Sequence, residues 1–127
     1  RLTAYKEILD DVITIDSVKR AIKDVIRRGT YTPTPDIIIR ETARYYSLKE
    51  DDLRGQNRSK NMTMARQVSM YLMRSLTGLS LKDIGTHYED RNHATVLSSI
   101  RKVEQLLKND PSMAGTVRDI TSNINSV

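Results

Sequence analysis

Helix start and stop signals recur along this chain at short intervals, and no segment between them alternates with the two-residue period of a strand. Thr34-Pro35-Asp36 sets a hydroxyl at an N-cap, proline at the first helical position and an acid in the first turn. Ser47-Leu48-Lys49-Glu50 and Ser80-Leu81-Lys82-Asp83 each read as capping boxes. Thr14, Asn92 and Asp110-Pro111 mark further starts, and Gly55 and Gly78 mark stops. Residues directed toward a core, nearly all apolar, follow at helical spacing: Ile15, Val18, Ile22, Val25 and Ile26; Ile38, Ile39, Thr42 and Tyr45; Ala65, Val68, Leu72 and Leu76; Val96, Ile100, Val103 and Leu107. The expected fold class is all-α, a helical bundle. Its helices are expected over residues 1–9, 14–28, from 35 through Tyr45, from Ser47 to about Gly55, 62–77, 81–87, 92–108 and from 111 toward 125. On the 62–77 helix, Arg66, Met70 and Arg74 fall on a side away from the apolar stripe.

Size and composition bound the rest. A chain of 127 residues with 38% apolar content supports one modest core and is not the composition of a disordered segment. No apolar run approaches the roughly 20 residues a membrane-spanning helix needs. Cysteine is absent, which excludes disulfides and thiolate metal sites and is compatible with a cytoplasmic location. The chain starts at Arg1, and Leu2-Thr3-Ala4-Tyr5 reads as the middle of a helix, so a piece of a longer protein is expected. Gly29-Thr30-Tyr31-Thr32-Pro33 interrupts the helical pattern and is the expected boundary between a segment 1–32 and a domain 33–127.

The charge is unevenly placed. The chain carries +5, but residues 53–82 hold six basic side chains (Arg54, Arg58, Lys60, Arg66, Arg74 and Lys82) and no acid, leaving −1 for the remainder. A local basic patch asks for a polyanion. Directly after it come a two-turn helix (residues 81–87), a polar turn (88–91) and a longer helix (92–108), the outline of a helix-turn-helix. In that motif the start of the second helix reads base edges in the major groove. Here that start is Asn92, His93, Ala94 and Thr95: three hydrogen-bonding side chains and a methyl group suited to thymine. The pattern alone also fits an ordinary helix pair in which Asn92 only caps and His93 and Thr95 face water. The loop Gln56-Asn57-Arg58-Ser59-Lys60 is either a solvated surface loop or an arm along the DNA backbone or into a minor groove, which attracts Arg. Arg66 and Gln67 would then be backbone contacts, with Arg74 a solvated charge.

At these residues the chain resembles the DNA-binding domain of the bacterial DnaA replication-initiator family. Ala65-Arg66-Gln67-Val68-Ser69-Met70-Tyr71-Leu72 is similar to that family's Pro-Arg-Gln helix start. Leu76-Thr77-Gly78-Leu79-Ser80-Leu81-Lys82-Asp83-Ile84-Gly85 resembles its Leu-Thr…Ser-Leu-Pro-x-Ile-Gly segment, and Arg91-Asn92-His93-Ala94-Thr95-Val96 its Arg-Asp-His-Thr-Thr-Val signature. The likeness runs without gaps from about Pro33 onward. It implies sequence-specific binding of double-stranded DNA at origin sites called DnaA boxes, in initiation of chromosomal replication. It assigns Arg58 to the minor groove, Asn92, His93, Ala94 and Thr95 to bases and nearby phosphates, and Arg66 and Gln67 to contacts near the DNA backbone and major groove; Lys60 of the basic loop is expected on the DNA backbone as well.

The segment 1–32 resembles the end of the lid of an AAA+ ATPase domain, with Arg1 on the nucleotide-sensing arginine. The parent protein is thereby expected to bind ATP or ADP, to self-assemble through its ATPase domain and to meet regulatory proteins. This chain contains no phosphate-binding glycine loop, so it is not expected to hydrolyse ATP by itself; no cofactor or metal is expected in this segment of the protein either. Four positions depart from the family: Asn92 replaces Asp, Ala94 replaces the first signature Thr, and Glu89-Asp90 replaces Gly-Gly. The acids stand where they would repel phosphate, and glycine's freedom at positive φ is lost at both turn positions. The alternatives are a helical protein-interaction module, whose basic patch meets an acidic partner, and another helix-turn-helix regulator. An enzyme is disfavoured, because His87 and His93 are the only histidines and have no carboxylate at metal-ligand spacing.

Overall fold

A computed structural model describes residues 33–126 continuously and, before them, residues 16, 18–20, 22 and 23, which are helical. Val18 and Ile22, from the stripe expected in the first segment, are both buried. Arg1 and the 32/33 boundary lie outside the described residues. The continuous part contains α1 (Pro35–Tyr45), α2 (Glu50–Arg54), α3 (Lys60–Thr77), α4 (Leu81–Thr86), α5 (His93–Asn109) and α6 (Pro111–Asn125). Among the described residues there is no strand, in agreement with the all-α expectation.

The start signals act as written at four helices. Thr34 accepts from the Ile37 N–H, Ser80 from Asp83, Asn92 from Thr95 and Asp110 from Ser112. Two boundaries differ from expectation. Ser47 does not cap α2. It takes φ +57° and ends α1, its N–H donating to the Arg44 carbonyl while Leu48 N–H donates to Ala43. This is a Schellman stop, with Ser47 at the left-handed position that glycine usually fills. The N-cap of α2 is Lys49, whose side chain makes no capping bond, and Glu50, Asp51 and Asp52 complement the helix's positive end instead. The helix α3 starts two residues earlier than expected, because Ser59 caps it by accepting from Met62 N–H.

The helix α3 is the centre of the bundle and packs against each of the other five. That position explains a second correction. Met70 and Arg66, expected on a side other than the apolar stripe, are buried along with that stripe, and of the three residues on their side only Arg74 is exposed. Surrounded on several sides, α3 buries residues all round rather than along one stripe. Conversely Tyr45, expected in the core, is 40% exposed and meets Tyr46 edge to face. The stripes Ala65/Val68/Leu72/Leu76 and Val96/Ile100/Val103/Leu107 are buried as expected and bring α3 and α5 together.

Candidate nucleic-acid interface

Between α4 and α5 the chain turns over a very short path. Tyr88 N–H and Arg91 N–H both donate to the Gly85 carbonyl. A Cβ built on Gly85 would stand 2.1 Å from the Arg91 carbonyl oxygen, so this crossing of helix and returning backbone admits only glycine. The turn itself runs through Glu89 (φ +58°) and Asp90 (φ +56°). The left-handed backbone natural to Gly-Gly is therefore kept by two acids, at a cost of roughly 1–2 kcal/mol each.

Tyr88 is fully buried beneath the turn and 2.6 Å from Ser69 Oγ. Ser69 uses its only proton on the Arg66 carbonyl (2.8 Å), so the tyrosine hydroxyl donates to Ser69. Burial pushes the Tyr88 hydroxyl well above its ordinary pKa, an effect only partly opposed by the positive charges of Arg54, Arg66 and Arg91. The ring therefore stays neutral and fixes the turn to α3.

A second tie comes from two arginines. A helix leaves its last carbonyls without partners. At α2 these groups are met by Arg66, whose Nε donates to Leu53 O (2.8 Å) and whose Nη2 donates to Asp52 O (3.1 Å). Arg91 Nη1 donates to Arg54 O and to Tyr88 O, and Nη2 to Gly55 O. Burial lowers the pKa of both guanidinium groups, but from so high a value that they remain charged. Arg66, expected as a DNA-backbone contact, is only 7% exposed and serves first as this internal cap. Arg91 is not among the expected site residues. Its partners lie up to 37 residues away in sequence, so no local spacing announces it.

The result is a rigid seat for the loop 55–59, which carries Arg58 and whose Asn57 side chain accepts from Ser59 N–H. Arg58 and Lys60 are exposed. So are Asn92, His93, Ala94 and Thr95 at the first turn of α5. Asn92 Oδ1 already accepts Thr95 N–H (2.9 Å), leaving its amide N–H groups outward as donors. An open concavity of about 990 Å³ joins the two regions; Arg58, Arg66 and Gln67 line one side, and Asn92, Ala94 and Thr95 the other. Glu89, Asp90 and Arg91 also line it, while His93 and Lys60 lie outside it. A shallower groove continues along α5 past Ala94, Leu97 and Ser98 to Arg101, Lys102 and Gln105, with both cations exposed and no carboxylate in its lining. These two cations are also absent from the expected set, although their helical spacing from Ala94 and Ser98 is visible in the sequence.

A short helix, a glycine-sealed turn and an exposed second helix beside a basic loop define a helix-turn-helix protein. A family model described as the bacterial dnaA protein helix-turn-helix matches residues 35–103. The chromosomal replication initiator protein DnaA of Cutibacterium acnes is 38% identical over 125 residues, covering 98% of this chain. The chain belongs to the bacterial dnaA helix-turn-helix family. It spans about a quarter of the length of that relative, 25%. Among the described residues no helix is long and apolar enough to cross a membrane.

Proposed function

We propose that residues 33–127 form a domain that binds double-stranded DNA sequence-specifically, at DnaA boxes of a replication origin, and thereby takes part in initiating chromosomal replication. One observation carries this reading: the exposed first turn of α5 and the Arg58 loop border a single concavity, so one duplex can be met in two places. The α5 start enters the major groove, where the Asn92 amide, His93 and Thr95 offer hydrogen bonds and Ala94 a methyl contact. The free N–H groups at this helix end favour a neighbouring phosphate. Arg58 reaches the adjacent minor groove. Lys60 and Gln67 contact phosphates, as do Arg101 and Lys102 farther along α5. Arg66 supports the loop while standing in the wall of the concavity.

The larger assignments follow from the family and from the relative's name as an initiator. Residues 1–32 are the end of an AAA+ lid, with Arg1 toward ATP or ADP. The parent protein is a cytoplasmic nucleotide-binding initiator that self-assembles through its ATPase domain and meets regulatory proteins. The test is the affinity of the 127-residue chain for a box-containing duplex and for a scrambled duplex across a salt series. Tighter binding of the box at every salt concentration is expected. Equal affinity throughout overturns specificity, and no binding at low salt favours a protein-interaction module instead.

A further inference from the structure

The turn that replaces glycines with acids does more than add charge. Glu89 Oε1 accepts from the Gln56 side-chain amide at 3.3 Å, and a Cβ built on Gly55 would stand 3.3 Å from Glu89 Oε2. The carboxylate thus lies against the base of the arm loop, and Glu89 lines the same concavity as Arg58, Arg66 and Arg91. It is close enough to stabilise the charges of Arg66 and Arg91. Among the described residues, however, it forms no ion pair within 4 Å. Its one hydrogen bond is long and exposed, so little holds it in place.

We propose that Glu89 is an internal competitor for the duplex: its carboxylate occupies, beside Gln56, the cationic concavity that a DNA phosphate enters. This inference rests on the duplex-binding reading above. Binding then requires a phosphate to approach an anion the protein supplies itself. The resulting penalty falls on every duplex alike, because it acts on the backbone and not on bases. It lowers the sequence-independent part of the affinity and leaves discrimination to the first turn of α5.

The test compares the 127-residue chain with Glu89→Gln and Glu89→Gly, using box-containing and scrambled duplexes over a salt series. Glu89→Gln keeps the shape and an acceptor for Gln56. Glu89→Gly relieves the positive φ, so it folds at least as well. Both variants are expected to bind both duplexes about fivefold more tightly at low salt, as for one removed like-charge contact at a partly exposed site. Their plots of log affinity against log salt are expected to steepen by up to about one, because the wild-type carboxylate takes up a cation when the duplex arrives. Unchanged or weaker binding to both duplexes overturns the inference while the duplex-binding reading stands. Tighter binding of only one duplex also overturns it, since Glu89 would then be reading a base. A wild-type chain that binds neither duplex at low salt overturns both.

Discussion

Gly85 and Tyr88 show how single residues set the turn on which the interface depends. A methyl group on Gly85 would meet backbone at Arg91, not the yielding end of a side chain, and relief requires α4 and α5 to separate. Gly85→Ala is therefore expected to destabilise the domain by about 1–3 kcal/mol or more, visible as a melting temperature lowered on the order of 10 °C. An unchanged melting temperature would mean that the helices are not packed this closely. Tyr88 makes a different prediction. Its hydroxyl titrates near 10 in an unfolded chain and higher when buried, so the native state holds its proton more strongly. That stabilisation is complete below pH 10 and declines as pH rises above it. Tyr88→Phe should lose about 1 kcal/mol at neutral pH through the missing hydrogen bond to Ser69, and should show a shallower loss of stability in alkali. Tyr46 and Tyr71, whose hydroxyls are also raised by burial, leave some alkaline slope in the variant. Urea melts at about pH 7 and above about pH 10 check both parts.

The helices are where sequence and structure can be compared most closely. Local signals were legible: hydroxyl and carboxamide caps at Thr34, Ser80 and Asn92 fix three helix starts through contacts only three residues away. Asn92→Ala should accordingly cost about 1 kcal/mol, whereas Asn92→Asp, which keeps an acceptor at the positive helix end, should leave stability unchanged or slightly raised. The same thermal melts separate capping from base contact, because only the latter appears in duplex discrimination. Features that depend on three-dimensional neighbours were not legible. Ser47 reads as a cap, but the chain needs a left-handed stop for α1 at that position. The exposed charge expected at Arg66 is instead buried, because the carbonyls at the end of α2 need donors and α3 passes beside them. Arg91 completes that arrangement from the far side of the motif. Arg91→Ala should therefore destabilise by about 1–3 kcal/mol and also weaken duplex binding, through a displaced Arg58 loop. Lys60→Ala should leave stability unaltered, so measuring both properties on both variants distinguishes support from contact.

Within residues 33–126, the six helices are gathered with α3 as a common core, and they present the start of α5 and the basic loop to a single concavity. The local charge excess of residues 53–82 divides on folding. Arg66 and Arg54 serve internal bonds, Arg54 through Asp36 and the His87 carbonyl, while Arg58 and Lys60 remain outward. Arg101 and Lys102 of α5 extend that outward set. Loss of Lys60 is expected to weaken every duplex equally and to reduce the salt slope by about one. Loss of His93 is expected to act on sequence preference. The most direct measurement is thus the ratio of affinities for box-containing and scrambled duplexes, in the wild-type chain and in His93→Ala at one salt concentration. Base reading by the first turn of α5 requires a ratio well above one in the wild type that falls by about fivefold or more in the variant, corresponding to ~1–3 kcal/mol of base discrimination. A wild-type ratio of one, or a ratio that His93→Ala leaves unchanged, would contradict it.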